Sequence, residues 1–262
     1  MRKRTISAVI MLLIFIPILL LGNIYYTIFG SIIGLMGLYE IMKPEKEIPS
    51  YMKFISYFIV LYLILYNYKY LFFDSVYPMS LIIVIFFIYV CSIIINKDSK
   101  KYNFKEAVTL LFDVFLIGIL FNSFIRIRLL GEKTVIYCFL ISIMTDTFAY
   151  FGGSLLGKHK LIPSISPNKT IEGSITGSLF GTVLATGYYY LVIGHNNILE
   201  IIILSFILTI ISQIGDLFFS SIKRYYKIKD YSNLIPGHGG VLDRLDSSLF
   251  VILGFILYLS IR

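Results

Sequence analysis

Apolar windows of membrane-spanning length recur along nearly the whole chain, at residues 5–22, 24–42, 51–66, 79–95, 107–124, 134–152, 173–193, 198–220 and 245–261. A helix rises 1.5 Å per residue, so about 20 apolar residues cross the hydrocarbon core. In lipid each backbone N–H and C=O must find a partner within its own segment, which restricts such runs to helices. The windows predict an all-α, polytopic integral membrane protein with about nine transmembrane helices. No loop between them is long enough for a soluble domain, so residues 1–262 are expected to form a single membrane domain. The first window follows Met1-Arg2-Lys3-Arg4, the basic start of a signal peptide, but no clear small-residue cleavage site follows and a second span begins at once. It reads as a retained helix.

Composition agrees: 58% of residues are hydrophobic and 15% charged, against roughly 25% charged in soluble domains. The formal net charge of +8 does not point to nucleic acid, because the basic residues sit in short loops rather than on one continuous patch. With an odd number of spans, the N-terminus and the loops near 43–50, 96–106, 153–172 and 221–244 share one side, and that side carries 18 of the 23 Lys and Arg residues, Lys53 included, against 5 opposite. The positive-inside rule places it in the cytoplasm, which makes the chain a multi-pass protein of the cell (inner) membrane. Cys91 and Cys138 lie inside apolar runs without CxxC spacing or nearby histidines, so neither a disulfide framework nor a zinc site is expected. Gly173, Gly177, Gly181 and Ala185 recur every four residues and predict a stripe of close helix packing, as do Gly30 and Gly34.

An aspartate near the bilayer centre costs about 2.5–3.5 kcal/mol on insertion scales and usually faces a partner, an ion or water. Asp113, Asp146 and Asp216 are such residues, and the topology brings all three within roughly 10 Å of the cytoplasmic face. Asp243 and Asp246 open the last span from the same side, three residues apart and so on one helix face. Magnesium commonly takes one or two carboxylates together with substrate phosphates, and this arrangement suits it. The structural alternative is that both cap the helix N-terminus and pair with Arg244.

The preceding loop holds Lys223, Arg224, Lys227 and Lys229, then Pro236-Gly237-His238-Gly239-Gly240. Its glycines can adopt positive φ and bring backbone N–H groups to an anion. On a continued helix Asp216, Ser220, Lys223 and Lys227 would form one stripe, carboxylate deep and cations shallow. The lysines could equally snorkel and enforce topology. Between Gly152 and Gly173, Ser166-Pro167-Asn168-Lys169-Thr170 precedes Glu172 and a helix start; it reads as an anion site or as a turn followed by a cap. His159, His195 and His238 show no zinc spacing; His238 is a phosphate donor, a proton shuttle or a satisfied loop residue. No G-x-S-x-G elbow is present. These polar residues lie in 134–262, the expected active-site half, with 1–133 as scaffold.

S-S-I-K-R-Y-Y-K-I-K-D-Y-S-N-L-I-P-G-H-G-G-V-L-D-R-L-D, Ser220 to Asp246, resembles the signature of the phosphatidate cytidylyltransferase (CDP-diacylglycerol synthase) family, with every distinctive element present. D-T-F-A-Y-F-G-G and S-P-N-K-T-I-E-G, within Asp146 to Gly173, and Q-I-G-D-L at Gln213 to Leu217 are similar to it too. The resemblance covers the C-terminal half closely, while the N-terminal spans agree only in hydrophobicity. It implies transfer of a cytidylyl group from CTP to phosphatidate, giving CDP-diacylglycerol and pyrophosphate, with magnesium, in a membrane-embedded homodimer.

Under that resemblance Asp216 and Asp243 are expected to hold magnesium, and Asp246 to complete the site or orient Arg244. Lys223, Arg224 and Arg244 neutralise substrate phosphates, while Ser166, Lys169 and Thr170 line the same cavity. Glu172, Ser220, Lys229, His238, Gly239 and Gly240 complete the substrate contacts; Asp146 is the candidate for a second cation or a water, and Asp113 is structural or lines the pathway. A CTP-dependent membrane lipid kinase would show similar features but release CDP. A cation-coupled or proton-coupled transporter would leave the G-H-G-G loop and its basic flank without a purpose.

Overall fold

The computed structural model describes residues 2–45, 47–66, 77–95, 102–194 and 197–262. Within them stand nine helices and one hairpin, in the order α1 (Arg2–Leu21), α2 (Asn23–Met42), α3 (Ser50–Leu65), α4 (Tyr77–Ile95), α5 (Phe104–Ile127), α6 (Glu132–Leu156), β1 (Lys160–Ile162), β2 (Ser166–Thr170), α7 (Ile171–Tyr188), α8 (Ile198–Tyr225) and α9 (Leu242–Ile261). Each helix falls on one of the apolar windows. Five of them, α2, α5, α6, α8 and α9, are long and apolar enough to cross a membrane, and α1, α3 and α4 carry shorter apolar stretches. Large apolar side chains such as Leu13, Phe54, Phe87, Leu179 and Ile214 are exposed on the outside of the bundle, as lipid contact requires and as water would penalise. Lys46, Lys69, His195 and residues 96–101 of the expected 96–106 loop lie outside the described residues.

Helix α5 is the axis of the packing, touching α2, α3, α4 and α9. Its start is fixed locally: the Asn103 side chain accepts from Lys105 N while Glu106 accepts from Asn103 N, a reciprocal capping box. Further along, Leu110, Val114, Ile117, Leu120 and Phe121 are completely buried, and Phe124 stacks on Tyr26 of α2 with ring centroids 5.0 Å apart. The Asn122 amide donates to the Leu63, Ile64 and Tyr66 carbonyls, which satisfies the free end of α3 where no further helical N–H exists.

Long-range contacts sort the loops onto two ends of the bundle. At one end Ser7 meets Pro236 and His238, Glu45 meets Tyr226, and Arg224 reaches the Ile165 carbonyl. At the other, Arg128 donates to the Leu19 carbonyl and Glu200 meets Tyr258 and Arg262. This alternation is the one the succession of apolar windows predicts for these loops.

Helices α6 and α7 form the most extensive pair. The glycine stripe lies in their contact: a Cβ added at Gly177 would stand 2.6 Å from the Thr145 carbonyl and 2.9 Å from the Ala149 methyl. The helix axes approach as closely as the backbone allows, as small-residue packing in lipid predicts. A π-helical turn, Tyr189–Ile193, finishes α7.

Candidate active site

The start of α9 is built by residues far apart in sequence. Pro236 and Gly237 sit at the second and third positions of a turn closed by His238 N donating to the Ile235 carbonyl at 2.9 Å, with Gly237 at φ 78°. Pro followed by a positive-φ residue is what a type II turn demands. Ile235 N then bonds back to the Gly239 carbonyl at 2.8 Å, and Gly239 takes φ 86°. The turn is held from outside: Ser7 of α1 donates to the Pro236 carbonyl and lies 2.7 Å from His238 Nδ1.

The helix that follows has no capping side chain of its own. Glu40 of α2, completely buried, supplies one: its carboxylate accepts from Val241 N and Leu242 N, each at 2.9 Å, and from the Ser232 hydroxyl at 2.6 Å. A Cβ at Gly240 would fall 2.3 Å from Glu40 Oε1, so only glycine admits the carboxylate here. Negative charge at a helix N-terminus is stabilising in its own right.

Asp243 faces the loop. Its Oδ1 accepts from Lys223 Nζ at 2.8 Å, and its Oδ2 accepts from Tyr231 N and Gly240 N, both at 2.9 Å. Only 2% of its side chain is exposed. The capping alternative is thus divided: Glu40 serves the first N–H groups of α9, and Asp243 folds the loop back over it.

Asp246, one turn later, belongs to a different group. It lies within electrostatic reach of Asp216 on α8 and Asp146 on α6, so three helices present carboxylates that repel one another. Asp216 is paired with Lys169 of β2 and accepts from Ser220 at 3.3 Å. Asp146 accepts from the Ser247 hydroxyl at 3.3 Å, and Asp246 accepts from Ser247 N at 2.8 Å. Counting Asp243, four carboxylates stand against two ammonium groups, leaving two formal negative charges uncompensated. Among the described residues no three His, Cys, Asp or Glu side chains close into a ready-made metal cage. Asp113 stands apart, its charged neighbour being Glu45.

The α8 stripe is correct at its deep end, with Ser220 on Asp216, but α8 stops at Tyr225 and Lys227 leaves it at φ 55°. Arg224 donates to the Ile165 and Ile228 carbonyls, tying that bend to the hairpin. On the hairpin, Thr170 caps α7 by accepting from Gly173 N at 3.1 Å, and Glu172 accepts from Lys158 N, His159 N and His159 Nδ1. Hydrogen bonds to the carboxylate, chiefly from His159, draw Glu172 down to about 2. These two residues shape the hairpin that carries Ser166 and Lys169.

Beside the first turn of α9 lies a cavity of about 480 Å³ lined by Lys229, Asp230, Asn233, His238 and Arg244 together with Gly237 and Gly239. Arg244 is anchored there by donating to the His238 carbonyl at 2.8 Å.

Sequence reasoning missed Glu40, Ser7 and Ser247. Glu40 had a signal: it is an acid inside an apolar window, the same criterion that singled out Asp113, Asp146 and Asp216. Ser7 and Ser247 carried none.

The chain matches the model of the cytidylyltransferase family over residues 2–262. It is 37% identical over 257 residues to a phosphatidate cytidylyltransferase of Staphylococcus haemolyticus and 35% identical over 256 residues to one of Staphylococcus aureus, each alignment covering 96% of both chains. A phosphatidate cytidylyltransferase of Staphylococcus epidermidis is 35% identical over 261 residues, again with 96% of each chain covered. The acid and lysine layer is therefore carried by a chain that belongs to the cytidylyltransferase family.

Proposed function

We propose that this protein is a phosphatidate cytidylyltransferase: it transfers the cytidylyl group of CTP to phosphatidate and releases CDP-diacylglycerol and pyrophosphate. The observation that carries the reading is the layer of Asp146, Asp216, Asp243 and Asp246 with Lys169 and Lys223 at one end of an apolar helix bundle, in a chain that aligns with 96% of the length of relatives bearing that name. A phosphate monoester loses its second proton near pH 6, so phosphatidate needs no general base at neutral pH. Its phosphate oxygen forms a bond to the α-phosphorus of CTP, the bond to the β-phosphate oxygen breaks, and pyrophosphate departs. The remaining task is to hold two polyanions in line and to offset their charge.

Magnesium fits the donor set. The donors are hard carboxylate oxygens, they outnumber the ammonium groups beside them by two, and such a set leaves positions for phosphate oxygens and water, which magnesium favours over an all-protein cage. Asp216 and Asp246 would hold it, and Asp243 would join through Oδ1, the oxygen that faces Lys223. Asp146 would hold a second cation or a water. When bound, the metal offsets the charge of the triphosphate and of the leaving pyrophosphate. Lys169 and Lys223, each already beside a carboxylate, are positioned to exchange that partner for a phosphate oxygen. Arg224 and Arg244 would add charge at the rim, with Ser166 and Ser220 as donors and Thr170 and Glu172 as supports. The site would face the cytoplasm from the inner membrane, in a homodimer.

The test is purified protein with phosphatidate, labelled CTP and magnesium. CDP-diacylglycerol and pyrophosphate are expected, with chelation of magnesium abolishing both. CDP with a phosphorylated lipid would make it a kinase, and no nucleotide consumption across metals and detergents would overturn the reading. Asp243→Asn should abolish turnover and also lower the melting temperature, because the same carboxylate accepts from Lys223, Tyr231 N and Gly240 N; a near-normal rate would remove it from the metal role.

A further inference from the structure

The cavity beside α9 contains a contradiction if its ligand is only a polyphosphate. Lys229 and Arg244 suit an anion, yet Asp230 and Asn233 share the lining with them. Asp230 makes no hydrogen bond or ion pair among the described residues, and neither does Asn233. Asp230 is therefore not there to orient a neighbouring cation. Asp230 and Asn233 are both exposed on the cavity wall, and a carboxylate there repels a triphosphate but suits a part of the ligand that donates hydrogen bonds.

Resting on the reading of CTP as substrate, we propose that this cavity holds the cytidine end of the nucleotide and that Asp230 selects cytosine by accepting from its exocyclic amine. CTP offers donors in two places, the amine of the base and the ribose hydroxyls. The base edge is a donor followed by two acceptors, which is complementary to a carboxylate beside an amide: Asp230 takes the amine and Asn233 donates to a ring acceptor. Acidic side chains accepting from this amine are the recurring solution for reading cytosine. Uracil presents a carbonyl at the same point, which would face the carboxylate oxygen to oxygen. A site built on such a bond rejects the wrong analogue because its own polar group is then left unpaired. The cavity is of the right size, within the roughly 300–1,000 Å³ of small-molecule sites. Lys229 and Arg244 share the lining and would take the same nucleotide's phosphates, and Gly239 of that wall packs against Asp243.

The inference is tested by equilibrium binding of CTP, dCTP and UTP, each with magnesium, to the full chain in detergent, which needs no lipid turnover. The wild type should bind CTP at least tenfold more tightly than UTP. In Asp230→Asn an amide can turn either face to the base, so the CTP-to-UTP ratio should collapse toward one, CTP binding weakening and UTP binding improving. An unchanged ratio, an equal loss for all three nucleotides, or a change confined to CTP against dCTP would overturn it; the last would assign Asp230 to the ribose. Failure of the wild type to make CDP-diacylglycerol would instead sink the substrate reading, and the binding ratios would still decide the role of Asp230.

Discussion

Removing the Glu40 carboxylate is the sharpest perturbation the fold offers, because one buried group of α2 holds three donors of the loop and of α9. Hydrogen bonds to a charged group contribute about 1.5–3 kcal/mol each, and a buried donor left without a partner costs about 1–3 kcal/mol. Glu40→Gln keeps one oxygen but turns an NH2 toward a donor, so it should lose one bond and cost about 1.5–3 kcal/mol. Glu40→Ala strands Val241 N, Leu242 N and the Ser232 hydroxyl together, roughly 3–9 kcal/mol by the same figures, a large fraction of the 5–15 kcal/mol that stabilises a typical fold. Thermal unfolding in detergent should rank wild type above Glu40→Gln above Glu40→Ala. Nucleotide titration should show the Gln variant losing turnover more than substrate affinity, because the helix start carrying Asp243 and Asp246 is displaced. A Gln variant that melts and turns over as the wild type does would refute the assignment of Glu40 as the cap of α9.

Gly177→Ala should lower the unfolding temperature by a measurable step, since its methyl would stand 2.6 Å from the Thr145 carbonyl and overpacking costs about 1–3 kcal/mol; an unchanged melting curve would mean that α6 and α7 can separate freely. Glu45 lies in the α2–α3 loop, where burial raises its carboxyl above the usual glutamate range and outweighs the Tyr226 hydrogen bond that lowers it. The folded state therefore holds that proton more tightly than the unfolded chain, a contribution present below the unfolded value and lost as pH rises through the folded one. Glu45→Gln should flatten the fall in stability over that interval, and scanning unfolding against pH in detergent would expose a failure as two parallel curves. Asp246→Asn should lose turnover with little change in melting, because its one direct hydrogen bond to the described residues is to Ser247 N; a large drop in melting temperature would give it a structural role instead.

The helices were legible because each rests on a local property, apolar length, and the glycine stripe because its period is that of one helix. Asp216 and Ser220 were legible for the same reason, four residues apart on α8. Reading stopped where the partner lies on another helix. Nothing near Val241 announces that its cap is 201 residues away in Glu40, and nothing near His238 announces Ser7, 231 residues distant. Asp243 shows the same limit from the other side: its spacing to Asp246 suggested one shared face, but Lys223, Tyr231 and Gly240 give it a set of neighbours that no short pattern contains.

The clasp between α2 and α9 also bears on the order of assembly. Synthesis delivers α2 long before α9, so for most of the chain's emergence Glu40 is a carboxylate inside an apolar helix with no donors to receive. Only when the 232–242 loop and the start of the final helix fold against α2 are Ser232, Val241 and Leu242 presented to it. The clasp thus ties completion of the second helix to the arrival of the last: a chain that ends before residue 241 lacks the two backbone donors, Val241 N and Leu242 N, that Glu40 receives in the complete fold.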